Sequence, residues 1–317
     1  MKKFDIIALG ELNVDLLLNR IDGFPVLGKE IIAGDMLLTL GSSTAIFAAN
    51  AASLGSRVAF LGMIGKDNFG TLVKDSLIRR GVDTSYLVEI DTEATGITVV
   101  LNYGNDRANV TYPGAMNLLG AKDVDPEVIE MAGHVHISSI FLQERLQKDL
   151  YEIVKLIKNR GVTVSIDTQW DPAEKWDLDY RKILPLVDVF LPNEQELKCL
   201  TGKESIDDAL SEIEPYINAA VIKMGTQGSL LITKQGHRRQ IKAFLNTQVV
   251  DAIGAGDSFN AGFLSAYVKG KDLEYCQYLG NLAGAVNTTA AGGTGAFVSK
   301  EKIIDAAEKY FAQHIEL

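Results

Sequence analysis

The stretch V-V-D-A-I-G-A-G-D-S-F-N-A-G-F, residues 249–263, is a glycine-rich turn running straight into a helix that carries Phe259, Phe263 and Tyr267 on one face. Gly254, Ala255 and Gly256 have almost no side chain, so their backbone N–H groups can approach an anion closely. At a helix N-terminus such donors lack intrahelical acceptors, and the macrodipole adds a field that favours negative charge. Asp257 falls in the first turn beside them, where a carboxylate can take the proton of an attacking hydroxyl. A base and an anion hole sharing one turn suit phosphoryl transfer from a nucleotide to an alcohol. A plainer reading stays open on this segment alone: Asp257 complements the helix dipole and the glycines only turn the chain.

Outward from this turn, short Val- and Ile-rich runs recur at Ile6–Leu9, Val58–Leu61, Val135–Ile137, Val162–Ile166, Val187–Leu191 and Ala220–Ile222. They read as buried parallel strands. Between them lie amphipathic stretches, such as Leu146, Leu150, Ile153, Val154 and Ile157, which keep helical spacing and stop at Asn159, Arg160 and Gly161. Strands alternating with helices predict an α/β fold, a doubly wound and mainly parallel sheet flanked by helices, as one domain over residues 1–317. Two excursions break the rhythm, at about 12–40 and 95–114. In the second, Thr95–Leu101 and Asn109–Tyr112 flank a turn at Gly104, Asn105 and Asp106. A small β-sheet lid over the carboxyl edge of the main sheet follows, since open α/β sheets bind ligands there.

With 317 residues and 47% hydrophobic content the chain can bury a large core, which excludes a disordered or fibrous protein. A net charge of −10 and the absence of any Lys/Arg run longer than two argue against nucleic acid and anionic lipid as partners. The N-terminal apolar stretch is interrupted by Asp5 and Glu11, too short for a signal peptide or a membrane span, so a cytoplasmic location is expected. Cys199 and Cys276 stand far apart and read as reduced, buried thiols. His134 and His136, two apart on a strand without a third ligand, read as core rather than metal. Gly65-Lys66 is followed by Asp67, so no P-loop is present, and no G-x-G-x-x-G opens the first helix.

D-A-I-G-A-G-D-S-F-N-A-G resembles the second signature of ribokinase-like (PfkB) carbohydrate kinases, D-T-x-G-A-G-D-x-F-x-A-G, with Ala252 in place of Thr. The resemblance covers essentially the whole chain. It implies an ATP-dependent kinase with Asp257 as base and the amides of Ala255, Gly256 and Asp257 as anion hole. L-P-N-E-Q-E-L, residues 191–197, resembles the N-x-x-E element, which places Asn193 and Glu196 at Mg²⁺ through its water shell, the hard-oxygen environment that ion prefers. V-I-K-M-G-T-Q-G-S-L-L, residues 221–231, is similar to the K-x-G-x-x-G hairpin and implies nucleotide contacts from Lys223, Thr226 and Gly228, joined by Asn193, Asn281 and Ala285. Asp251 and the loop 290–296 match the position of a monovalent-cation loop, which implies K⁺. G-E-L-N-V-D, residues 10–15, places Asn13 and Asp15 at the substrate, an amide and a carboxylate able to bind vicinal hydroxyls.

Two stretches depart from the family pattern. In G-S-S-T-A-I-F-A-A-N, residues 41–50, Gly41 and Ser42 fall at the substrate, but Ile46 stands where a sugar-contacting Asn is usual, and Asn50 comes one turn too late. In I-D-T-Q-W-D-P-A-E-K-W, residues 166–176, Gln169 and Asp171 replace Asn and Arg. An Asp in place of Arg would repel an anionic substrate, which favours a neutral monosaccharide. The alternatives are a nucleoside kinase of the same fold and a non-catalytic sugar sensor, the latter disfavoured by the intact Asp257 turn. The exposed edge of the lid sheet further predicts a homodimer through that sheet.

Overall fold

The computed structural model describes residues 2–103 and 107–315, so the turn expected at 104–106 lies outside the described residues. The chain opens with β1 (Phe4–Gly10), whose residues alternate between two cores: Ile6 and Ala8 point to one face, Ile7 and Leu9 to the other. It then leaves the main sheet for β2 (Asn13–Ile21) and β3 (Ala33–Leu40), and returns through α1 (Ser43–Ser53), β4 (Val58–Gly65), α2 (Asn68–Arg79) and β5 (Asp83–Ile90). A second departure builds β6 (Gly96–Asn102) and β7 (Arg107–Tyr112). Next come α3 (Pro126–Glu130), β8 (Ala132–Ser138), α4 (Glu144–Asn159) and β9 (Thr163–Asp167). They are followed by α5 (Tyr180–Ile183), β10 (Val189–Phe190), α6 (Glu194–Thr201), α7 (Ile206–Ile213) and β11 (Ala219–Lys223). The antiparallel strands β12 (Ser229–Thr233) and β13 (Arg238–Ile241) precede α8 (Ala255–Tyr267), α9 (Leu273–Asn287) and α10 (Lys300–Phe311).

The main sheet runs β13-β12-β11-β10-β9-β8-β1-β4-β5, parallel from β11 to β5. Strands buried on both faces need no polar alternation, which is why they stand out in the sequence as continuous apolar runs. Side chains of α1, α2, α8, α9 and α10 fill one core, those of α3 to α7 the other. The order reverses between β1 and β8, and the carboxyl ends of β1, β8, β9, β10 and β11 surround this switch point, the expected ligand crevice. The run Val187–Leu191 is mostly loop: its strand shrinks to two residues because Pro192, which has no N–H, follows at once.

The excursions form a second sheet of order β3-β2-β6-β7. It is mixed, because β2 and β6 pair in parallel while the outer pairs are antiparallel. One face lines the crevice with Asn13, Asp15, Thr98 and Thr111. His134 and His136 are fully buried and share the Ser165 hydroxyl at 2.7 and 2.8 Å, and burial holds both near pKa 3. They belong to the core, and no group of three or more His, Cys, Asp or Glu side chains suited to a metal occurs among the described residues.

Candidate active site

Two cavities meet at the start of α8. The first, about 500 Å³, lies between the carboxyl ends of the main strands and the second sheet. The second, about 330 Å³ and mainly apolar, is walled by Phe244, Leu245, Val249, Phe259 and Ala285. Gly225, Ala252, Ala255, Gly256 and Lys223 line both, so the glycine-rich turn forms the seam between them.

The seam is built as the residue types require. Gly254 caps α8 in the left-handed region at φ 75° without any side-chain cap. The Ala255 amide turns inward to the Ala252 carbonyl at 3.3 Å, so one of the three donors expected for the anion hole is used within the turn. The amides of Gly256 and Asp257 have no main-chain acceptor among the described residues, as befits the first turn of a helix. Asp257 is 6% exposed, at the floor of the larger cavity. Burial, and then the nearby Asp167 charge, push its carboxyl well above the usual carboxylate range, against the opposing pull of the Lys223 ammonium.

The substrate residues converge on the same cavity with different degrees of freedom. The Asn13 amide donates to Thr98 Oγ1 at 2.8 Å and to Asp15 Oδ1 at 3.2 Å. Burial lifts the Asp15 carboxyl to about 6. Gly41 is required by that carboxylate, which occupies the space any Cβ at 41 would need. Ser42, at φ 70°, spends its hydroxyl on structure: Oγ donates to the Glu11 carbonyl at 2.6 Å and accepts from Ala45 N at 2.9 Å as the cap of α1. Asn50 is turned away toward Ser258 and Gly293. Ile46 packs against both glycine loops, at Gly254 and Gly293.

Asp171 corrects one expectation. Its carboxylate faces its own loop, accepting from the amides of Ala173, Lys175 and Trp176 at 2.7 to 2.8 Å, and it does not line the cavity. It therefore exerts no selection against anions there. The charged side chains that do line the cavity include Arg107, Asp15 and Glu11.

Thr226, Gly228, Asn281 and Ala285 border the second cavity. Gly228, however, is dictated by packing, since a Cβ there would strike the Ile241 carbonyl. Lys223 lines both cavities, and its ammonium is ion-paired with the fully buried Asp167 at 2.6 Å. Asn193 and Glu196 form a capping box on α6 and both border the larger cavity. Burial and the Asp167 charge raise Glu196 to about 7. Three acids, Asp167, Glu196 and Asp257, act on the one Lys223 ammonium, and Asn193 and Glu196 at the cavity border offer the hard oxygens that suit a hydrated Mg²⁺.

The K⁺ expectation finds no such fit. Asp251 accepts Ile253 N and Gly292 N at 2.9 Å, one on each oxygen. The Ile253 carbonyl takes Asn287 Nδ2 at 2.6 Å, the Gly293 carbonyl takes Asn50 Nδ2 at 2.9 Å, and Arg80 holds the carbonyls of Thr294 and Phe297. The two loops close on the protein's own donors. Sequence reasoning also missed Asp167, Glu11, Arg107 and Trp170 as site residues; Asp167 and Glu11 carried a signal, each being an acid at the carboxyl end of an apolar strand.

The model of the pfkB family of carbohydrate kinases matches residues 4–300. An uncharacterized sugar kinase of Archaeoglobus fulgidus is 32% identical, over 73% of this chain and 91% of its own length. The structure of Arabidopsis thaliana ribokinase complexed with ribose and ATP superposes with a TM-score of 0.81 at 26% identity, covering 96% of this chain and 98% of that one. Adenosine kinase from Sinorhizobium meliloti also reaches 0.81, at 25% identity, covering 92% and 95%. The chain belongs to the pfkB family of carbohydrate kinases, phosphotransferases that use an alcohol group as acceptor.

Proposed function

We propose that this pfkB kinase transfers the γ-phosphoryl group of ATP to a hydroxyl of a neutral monosaccharide, with Asp257 as general base. The observation that carries the reading is the meeting of the Asp257 carboxylate and the uncommitted amides of Gly256 and Asp257 at the seam of two cavities. The sugar lies in the larger cavity, where Asn13, Asp15, Thr98 and Thr111 offer donors and acceptors for vicinal hydroxyls. ATP enters from the apolar cavity, its adenine between Phe244 and Ala285 and its phosphates toward the seam. Asp257 accepts the hydroxyl proton as the oxygen attacks phosphorus, and the two amides stabilise charge on the group in flight. Asn193 and Glu196, at the border of the larger cavity, would hold Mg²⁺ through its water shell, and the ion would supply positive charge against the ATP phosphates.

A nucleoside acceptor is a second reading, favoured by Trp170, an indole 44% exposed at the larger cavity and able to stack on a base. ADP release measured over a panel of neutral sugars, sugar acids and nucleosides decides between them. The expected result is turnover of neutral sugars above the others; turnover confined to nucleosides or to sugar acids overturns the substrate assignment. Asp257→Asn is expected to lower kcat by about 10²–10⁴-fold, the usual share of a general base. Wild-type turnover in that variant removes the mechanism. A second copy of the chain, docked on the outer face of the smaller sheet, completes the proposed assembly.

A further inference from the structure

We propose that Gln169 is the positioning residue for Asp257: its side-chain amide ties the carboxylate to a buried ionic cluster and fixes it at the cavity floor. The inference rests on the reading of Asp257 as base. Gln169 Nε2 donates one hydrogen to Asp257 Oδ1 and the other to Asp167 Oδ2, each at 3.0 Å. Both donors of the amide are thereby spent, which fixes the rotamer of Gln169 and the orientation of Asp257 together.

The anchor is rigid. Asp167, at the end of β9 and fully buried, also accepts Lys223 Nζ and Asn260 Nδ2, both at 2.6 Å. Asn260 stands three residues after Asp257 on the same face of α8, so the cluster grips the helix that carries the base at two points. Without the bridging amide, the two carboxylates would face one another across the seam with like charge.

The backbone is committed to the same purpose. Gln169 sits at φ 57°, in the left-handed region that is costly for a non-glycine residue, and such strain gathers at functional sites. The three amides held by Asp171 fix the turn that follows, and Trp176 packs edge-on against Phe141 and Trp170. Both departures from the family pattern in this stretch thus serve one device: Asp171 knots the loop, and Gln169 projects from it onto the base. Other groups facing Asp257 are Lys223 from the end of β11, Glu11 after β1, and the Ser43 hydroxyl at the start of α1.

Steady-state kinetics of Gln169→Ala, Gln169→Asn and Gln169→Glu across pH 5–9, with the best neutral sugar and ATP, test the proposal. Gln169→Ala is expected to lower kcat by about 10–100-fold, the cost of a misplaced catalytic group, while both KM values stay within about threefold. Gln169→Asn, which keeps the amide on a shorter arm, restores part of that loss. Gln169→Glu sets a third carboxylate between the other two and moves the acid limb of the rate profile to higher pH. Unchanged kcat in Gln169→Ala, or a rise confined to the sugar KM, overturns the proposal, the latter making Gln169 a substrate ligand. Gln169 is only partly buried, and retained ATP affinity by calorimetry certifies that each variant is folded. Full activity of Asp257→Asn would instead remove the base itself, a result separate from any outcome at 169.

Discussion

Glu11 is 1% exposed, yet it carries an ionisable carboxyl. Hydrogen bonds from Thr44, through amide and hydroxyl, and from Ser42 do not offset the loss of water, so burial lifts its pKa from 4.5 to about 7. The native state therefore binds a proton that the unfolded chain releases. The stabilisation from this linkage is complete below pH 4.5 and is lost as pH rises through 7; a shift of two to three units corresponds to about 3 kcal/mol. Glu11→Gln removes the ionisation while keeping an acceptor for Thr44. Denaturant unfolding at pH 5 and pH 8 is expected to place the variant about 1–3 kcal/mol better relative to wild type at pH 8 than at pH 5. An identical pH dependence in the two proteins would mean that the carboxyl is charged in the native state throughout. Under the proposed mechanism, burial of the Asp257 carboxyl is expected to make kcat/KM climb with pH along an acid limb above the ordinary carboxylate range; a pH–rate profile whose limb stays in that ordinary range would argue against Asp257 as the base.

At the scale of elements, the site depends on α8 beginning where it does. Gly254 makes this start possible, because its φ of 75° and the 2.6 Å approach that a Cβ would make to Gly293 Cα leave no room for a side chain. Gly254→Ala must rotate the turn or push away the loop 290–296, and either movement displaces the amides of Gly256 and Asp257. The expected loss in kcat is about 10²–10³-fold, the range for removing anion-hole donors. The melting temperature, read by calorimetry, is expected to fall with it; retained kcat would show that the amides are not the anion hole. This element was legible in advance because glycine spacing, a following apolar helix face and an acid in the first turn are all local. Most of the parallel strands were legible as short Val- and Ile-rich runs, whereas β5, interrupted by Thr84, Ser85 and Glu89, was not. What stayed hidden is long-range: nothing near Lys223 announces Asp167, 56 residues away, so the ion pair between them is absent from any reading of the hairpin. Asp171 was misread because its three partners are main-chain amides of its own loop, invisible to any residue pattern. The cap that the Ser42 hydroxyl makes on α1 is equally invisible in the sequence pattern, while the residue itself lines the larger cavity.

Across the whole molecule, the chain leaves its main sheet twice, and the four strands it sends out have two unlike faces. The inner face is polar and lines the larger cavity; outward lie Met36 and Val110, 64% and 66% exposed, and the loop between β2 and β3 adds Phe24, Leu27 and Ile32. A monomer that leaves this much apolar surface together in water forfeits burial worth roughly 25 cal/mol for each Å² covered. Among the described residues β3 and β7 are the outer strands of this sheet, and an edge strand is a template for pairing with another chain. Because a two-fold contact is self-complementary, a second copy answers both needs with one surface. Light scattering on the eluting protein at micromolar concentration is expected to give twice the chain mass, and Leu27→Asp with Ile32→Asp to halve it, since each introduces a charge that the contact would have to desolvate. The cavity residues Asn13, Asp15 and Thr98 lie on the opposite face, so kcat in the halved species is expected to remain within a few-fold of wild type. A wild-type mass equal to one chain removes the dimer, and a halved mass with abolished turnover would mean that the contact also holds the smaller sheet against the site.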